Sequence, residues 1–133
     1  MKRTLAVFIM MVVVILAGQA YAHHSFTAIY FEEKTQKIEG TLVQFLYRSP
    51  HSFLYVDAPD EKGVVRRWVM EWSSSGHLGH QRVNRDTLKT GDHVIIVGNP
   101  GRNTEDHRLR MLNITRPKDG WKWDSAAEQS HFE

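Results

Sequence analysis

Apolar and polar positions alternate along most of the chain, and the alternation marks five strands. In residues 36–48, Ile38, Gly40 and Leu42 share one phase while Val43, Phe45 and Tyr47 share the other. Side chains on a strand return to the same face every second residue, so both sets cannot point inward without an extra residue. The pattern predicts a bulge or kink near Leu42-Val43, eased by Gly40. Ser49-Pro50 predicts a tight turn. Residues 51–58 form a second strand carrying Phe53, Leu54, Tyr55 and Val56, and Pro59-Asp60-Glu61-Lys62-Gly63 reads as a hairpin loop. Residues 64–72 form a third strand, with Val64, Trp68, Met70 and Trp72 on one phase and Val65, Val69 and Glu71 on the other.

The second half is built from shorter runs. Ser73-Ser74-Ser75-Gly76 ends the meander, and one or two helical turns are expected within 77–83. A turn over 86–92 leads into a fourth strand, 93–98, followed by the breakers Asn99-Pro100-Gly101 with Arg102-Asn103. The fifth strand is 108–116, stopped by Pro117. Asp119-Gly120 is a turn, and the remaining tail is polar apart from Trp121, Trp123 and Phe132. Ahead of the first strand, Phe26, Ile29, Tyr30 and Phe31 fit a short helical turn or an irregular lead-in. Three meandering strands, a short helical connection and two more strands predict an all-β fold. The expected form is a small five-stranded OB-like barrel with the helical connection between strands 3 and 4. A small β-sandwich is the alternative.

The N-terminus changes the picture of compartment and charge. Lys2 and Arg3 precede an apolar run over 5–17 of about 13 residues, and Ala20 and Ala22 occupy the −3 and −1 positions of a cleavage box. The expectation is a cleaved signal peptide, 1–22, and a periplasmic or secreted protein. The run is short of the ~20 residues that span a bilayer, so no stable membrane anchor is expected after cleavage. The barrel domain then covers 23–116 and the polar C-terminal tail 117–133. The full chain has 17 Lys+Arg and 15 Asp+Glu. Cleavage removes Lys2 and Arg3 and no acidic residue, which leaves the mature chain balanced and argues against nucleic acid as a partner. The chain has no cysteine, which excludes disulfides, thiol catalysis and Cys-based zinc sites.

Cleavage after Ala22 would make His23 the first residue, with a free amine and an imidazole on one residue and a second imidazole at His24. Amine and imidazole can chelate one ion, and this nitrogen set favours Cu(II) over most first-row ions. The end looks similar to the histidine brace of some copper proteins. His51, which begins a strand after Ser49-Pro50, is the further candidate ligand, giving His23, His24 and His51 as a candidate metal set. The plain alternative is a solvated, frayed terminus. Glu71, between Met70 and Trp72, is either a solvent-facing strand position or a partly buried carboxylate that orients a histidine. Tyr47, Phe53, Tyr55, Trp68 and Trp72 are either barrel core or a stacking face, with Trp68 and Tyr55 the candidates beside Glu71 for a ligand face. His77-Leu78-Gly79-His80 reads as a polar connection, and His93, His107 and His131 as surface residues. Arg66-Arg67 reads as a solvated strand edge. No nucleophile elbow, P-loop or dinucleotide fingerprint is present, and no catalytic pair stands out.

Several of these motifs occur together: His23-His24-Ser25-Phe26, Ser49-Pro50-His51, Trp68 with Glu71, and Leu88-Lys89-Thr90-Gly91-Asp92. In this combination the chain resembles a family of small exported bacterial proteins carrying a domain of unknown function, over roughly residues 23–114. That family has Asn where Ser49 stands, and either is a short turn residue that can hydrogen-bond. The resemblance implies an exported, OB-like barrel and names no activity. The expected function is a non-enzymatic periplasmic module for a small ligand, with a copper ion at the mature terminus as its sharpest form. The alternative is an accessory protein that binds a partner protein or a glycan through the aromatic strand face. An enzyme built on a mononuclear metal at His23 is the third reading.

Overall fold

The computed structural model describes Met1 and residues 26–129. Residues 2–22 of the expected signal segment with its expected cleavage site, and His23, His24 and His131, lie outside the described residues. The first described element is a helical turn over 26–29. Strand β1 (Gln36–Leu46) then pairs antiparallel with β2 (Phe53–Pro59) on one side and with β4 (His93–Pro100) on the other. β3 (Val65–Glu71) continues the meander from β2, and β5 (Arg108–Arg116) pairs with β4. A short parallel pairing, Val69↔Arg108 to Glu71↔Arg110, joins β3 to β5. The ring closes in the order β1-β2-β3-β5-β4 and gives a five-stranded barrel of the OB-like kind expected.

The bulge in β1 lies where the two phases collide. Leu42 faces Val56, Gln44 faces Tyr55, and Val43 is the extra residue. Below it Ile38 and Leu42 enter the core; above it Phe45 and Tyr47 pack against the core. Gly40 has a different role from the one expected. A Cβ there would press into the Asp57 carbonyl and the Ala58 side chain, so the glycine allows β2 to cross β1 closely. A second bulge, in β5, makes the same exchange. Val97 pairs with Asn113 and Gly98 with Met111, so Leu112 is extra and the inward phase passes from Leu109 and Met111 to Ile114.

Helix α1 (Ser75–His80) connects β3 to β4. Ser74 caps it by accepting from the His77 amide, and Leu78, fully buried, plugs the barrel end. Val64, placed by alternation on the inward phase, is instead exposed in the β2–β3 loop beside the exposed Val65. Asn99 and Pro100 extend β4 where a loop was expected. The buried Asn99 amide donates to the carbonyls of Glu32 and Lys34 and fastens the lead-in segment to the strand end. The stretch read as a polar tail contains a sixth strand, β6 (Trp121–Asp124), paired with the second half of β5, and a short helix α2 (Ser125–Gln129). The β5–β6 turn uses Gly120 at φ 72°, and Arg116 holds Asp119 across it. β6 lies outside the ring and delivers Trp123 to Trp72, with ring centroids 5.0 Å apart.

Candidate functional site

The site is built where the lead-in segment crosses the seam between β3 and β5. Tyr30 bridges to Gly101, the Phe31 amide donates to the Pro100 carbonyl, and the Arg102 amide donates to the Ile29 carbonyl. These bonds lay the 26–31 segment over the outer face of the seam and bury Tyr30 completely. Under it lies Glu71. Alternation puts Glu71 on the outer phase, opposite Trp68 and Met70, yet its side chain is only 13% exposed. Of the two expected alternatives, the solvent-facing position is not what is found: the phase faces out of the barrel, but the covering segment buries the carboxylate.

Glu71 joins two partners. The Tyr30 hydroxyl donates to Oε2, and His51 Nδ1 lies 3.0 Å from Oε1. An ionised carboxylate only accepts, so the proton of a neutral His51 belongs on Nδ1, and Nε2 keeps its lone pair. Among the described residues nothing hydrogen-bonds to that Nε2. Burial pushes the Tyr30 phenol well above its ordinary range, the Glu71 bond and charge push it further, and Arg108 and Arg110 oppose them. The phenol is thus held as a donor. His51 is also flanked by Phe26, with ring centroids 5.8 Å apart, and the Arg110 guanidinium lies over the Phe26 ring, 4.3 Å from its centroid, while bonding Glu32 at 3.0 Å.

These groups form one wall of a pocket of about 400 Å³, within the range of small-ligand sites. The remaining wall comes from β6 and from α1 with the residue after it. Phe26, His51, Trp72, His77, Arg110 and Trp123 are its principal lining residues. His77, read from sequence as part of a polar connection, is a pocket residue. It is held by a second chain of bonds: Trp123 Nε1 donates to Gln81 Oε1 at 2.9 Å, and Gln81 Nε2 lies 3.2 Å from His77 Nε2.

The other candidates go elsewhere. Trp68 is buried in the barrel, donates its indole N–H to the Ala58 carbonyl at 3.1 Å and meets His107 edge-on. Tyr55 is half-buried on the outer face of β2, opposite Val69. Neither lines the pocket with Glu71. The aromatic set divides between core (Trp68, Trp72), its margin (Phe45, Tyr47) and the outer face (Phe53, Tyr55). His93 is exposed and pairs with Glu39 at 2.8 Å, and His80 is exposed on α1. Arg66 and Arg67 are exposed strand residues paired with Asp60 and Asp57. Among the described residues no three His, Asp or Glu side chains gather as a metal cage.

No curated protein sequence and no solved structure matches the chain. A family model described as "Family of unknown function (DUF6152)" matches residues 11–110, which includes β1 to β4, α1, and the Tyr30, His51, Glu71, His77 and Arg110 positions. With three quarters of its length matched, the chain belongs to this family of unknown function.

Proposed function

We propose that the mature protein is a periplasmic, non-enzymatic module that binds a small ligand, and that its sharpest form is a copper site made by the amine and imidazole of His23, with His24 and His51 as further ligands. One observation carries the reading: Tyr30, Glu71 and His51 form a chain in which, among the described residues, the His51 Nε2 lone pair has no partner. A carboxylate on the far nitrogen is the usual support of a metal-bound histidine, since it fixes the tautomer and raises ligand basicity. His23 is three residues from Phe26, a reach of at most about 11 Å along the chain. The donor set is all nitrogen, which suits Cu(II).

The test is a copper titration of protein exported through its own signal, with intact mass establishing His23 as the first residue. The control is H23A, which removes the imidazole of the amine–imidazole chelate without creating a new chelating end and leaves the barrel unchanged. One-to-one binding that weakens at least 100-fold in the control supports the reading. Equal binding to both proteins, or none to either, removes it. Phe53 and Tyr55 on the outer face of β2 favour a second reading, a module that docks a partner protein or a glycan. That surface is smaller than the sequence suggested, because Trp68 and Trp72 belong to the core.

A further inference from the structure

We infer that the pocket between α1, β6 and the lead-in segment is a binding site for a small aromatic carboxylate, received by the His77 Nδ1–H. The argument starts from Trp123. An indole N–H only donates, so the atom of Gln81 facing it at 2.9 Å is the carbonyl oxygen. The orientation of the Gln81 amide is therefore settled by its neighbour, and its NH₂ faces His77 Nε2 at 3.2 Å. An amide NH₂ cannot accept, so His77 Nε2 must be the acceptor. The imidazole proton is then on Nδ1. Among the described residues that Nδ1–H has no acceptor, and His77 lines the pocket.

The two histidines of the pocket are thus fixed in complementary roles. His51 offers a lone pair at Nε2, and His77 offers a proton at Nδ1. As a neutral ring, His77 has no lone pair free for a metal, which separates it from the copper reading. Placed hydrogen-bond donors select the occupant. Glu71 is the acid among the lining residues, and each of its oxygens already has a donor, Tyr30 or His51. Arg110 spends one nitrogen on Glu32 and keeps further N–H groups at the rim. The His77 Nδ1–H and the remaining Arg110 N–H groups are the donors left to receive an anion. Phe26, Trp72 and Trp123 supply aromatic walls, and Met111 adds a thioether that packs well against a ring. A flat ring bearing a carboxylate fits both features, and the site needs no metal.

The probe is sodium benzoate, titrated into the copper-free mature protein while its four tryptophan indole N–H signals are followed by ¹⁵N–¹H NMR. The expected result is saturable binding with a Kd of about 1 mM, moving Trp123 and Trp72 and leaving Trp68 in place. Benzamide, neutral and otherwise alike, binds more weakly. H77L weakens benzoate about 10-fold or more, whereas H77N, which returns an N–H near the Nδ1 position, stays within about 3-fold of wild type. His77 is exposed on α1, so neither substitution opens the core, and the indole pattern reports the fold in the same spectrum. No saturable shift up to about 20 mM benzoate, or undiminished binding in H77L, overturns the inference. The H23A protein separates the two ideas. It binds benzoate as wild type does if this site is real, whatever it does to copper.

Discussion

Y30F isolates a single hydrogen bond at the centre of the site. The ring stays, fully buried, over the β3–β5 seam, and only the hydroxyl that donates to Glu71 Oε2 is lost. Among the described residues Glu71 then keeps His51 as its one side-chain partner, in a place only 13% exposed. A hydrogen bond to a charged group contributes about 1.5–3 kcal/mol, and a buried carboxylate stripped of a donor sits toward the upper part of that range. We expect Y30F to lower stability by about 2 kcal/mol. With a urea m-value of about 1–2 kcal/mol/M, the midpoint falls by roughly 1–2 M while m is unchanged. A double-mutant cycle with E71Q assigns the loss: the coupling energy between the two positions should reach about 1 kcal/mol or more. A Y30F protein within 0.5 kcal/mol of wild type, or additive single effects, would refute the reasoning, because the bond would then be replaced by water at no cost.

Two further perturbations address the frame. G98A places a Cβ against the Arg110 carbonyl and the Leu109 side chain where β4 and β5 bulge, and should cost about 1–3 kcal/mol in chemical denaturation; a neutral G98A would show that this crossing is looser than described. Asp92 is 4% exposed and its carboxyl is held at about 2; burial alone would raise it, but bonds from Lys118, the Lys89 amide and Arg116 outweigh that. Its folded value lies below the unfolded one, so its stabilisation is fully present above about pH 4 and is lost as pH falls through 2. The contribution is about 1–2 kcal/mol after allowance for solvent screening, and D92N should flatten the stability–pH curve in that window, a result that equal curves for both proteins would contradict.

The fold was legible because its frame depends on period-two patterns that each strand carries by itself. The β1 bulge shows this best. Two apolar phases in one run leave no arrangement but an inserted residue, and Val43 is that residue. The β5 bulge was as readable in principle, since Leu109, Met111 and Ile114 break phase in the same way. β6 is not legible locally, because four residues, Trp121 to Asp124, give one alternation and read as a tail with stray tryptophans. Their strand character comes from an open stretch of β5 beyond its pairing with β3, which is a fact of topology rather than of local sequence.

The site divides along the same line. Glu71 and His51 could be paired from sequence, since a carboxylate on a strand beside a histidine that follows a turn has an obvious use. Tyr30 could not be joined to them, because nothing local says that the lead-in segment returns over the seam; the Asn99 and Gly101 contacts that hold it there come from breakers that read as a loop. Locally, His77 is a histidine on a two-glycine helix with no acid in its motif, which reads as a polar connection. Its role depends on Trp123 and Gln81, 42 residues apart in the chain, meeting through β6. His77 and His80 are both exposed on α1, and what distinguishes His77 is that its bond to Gln81 sets the identity of the nitrogen that carries the proton. That identity is fixed by an indole that can only donate, acting through an amide whose orientation follows from it.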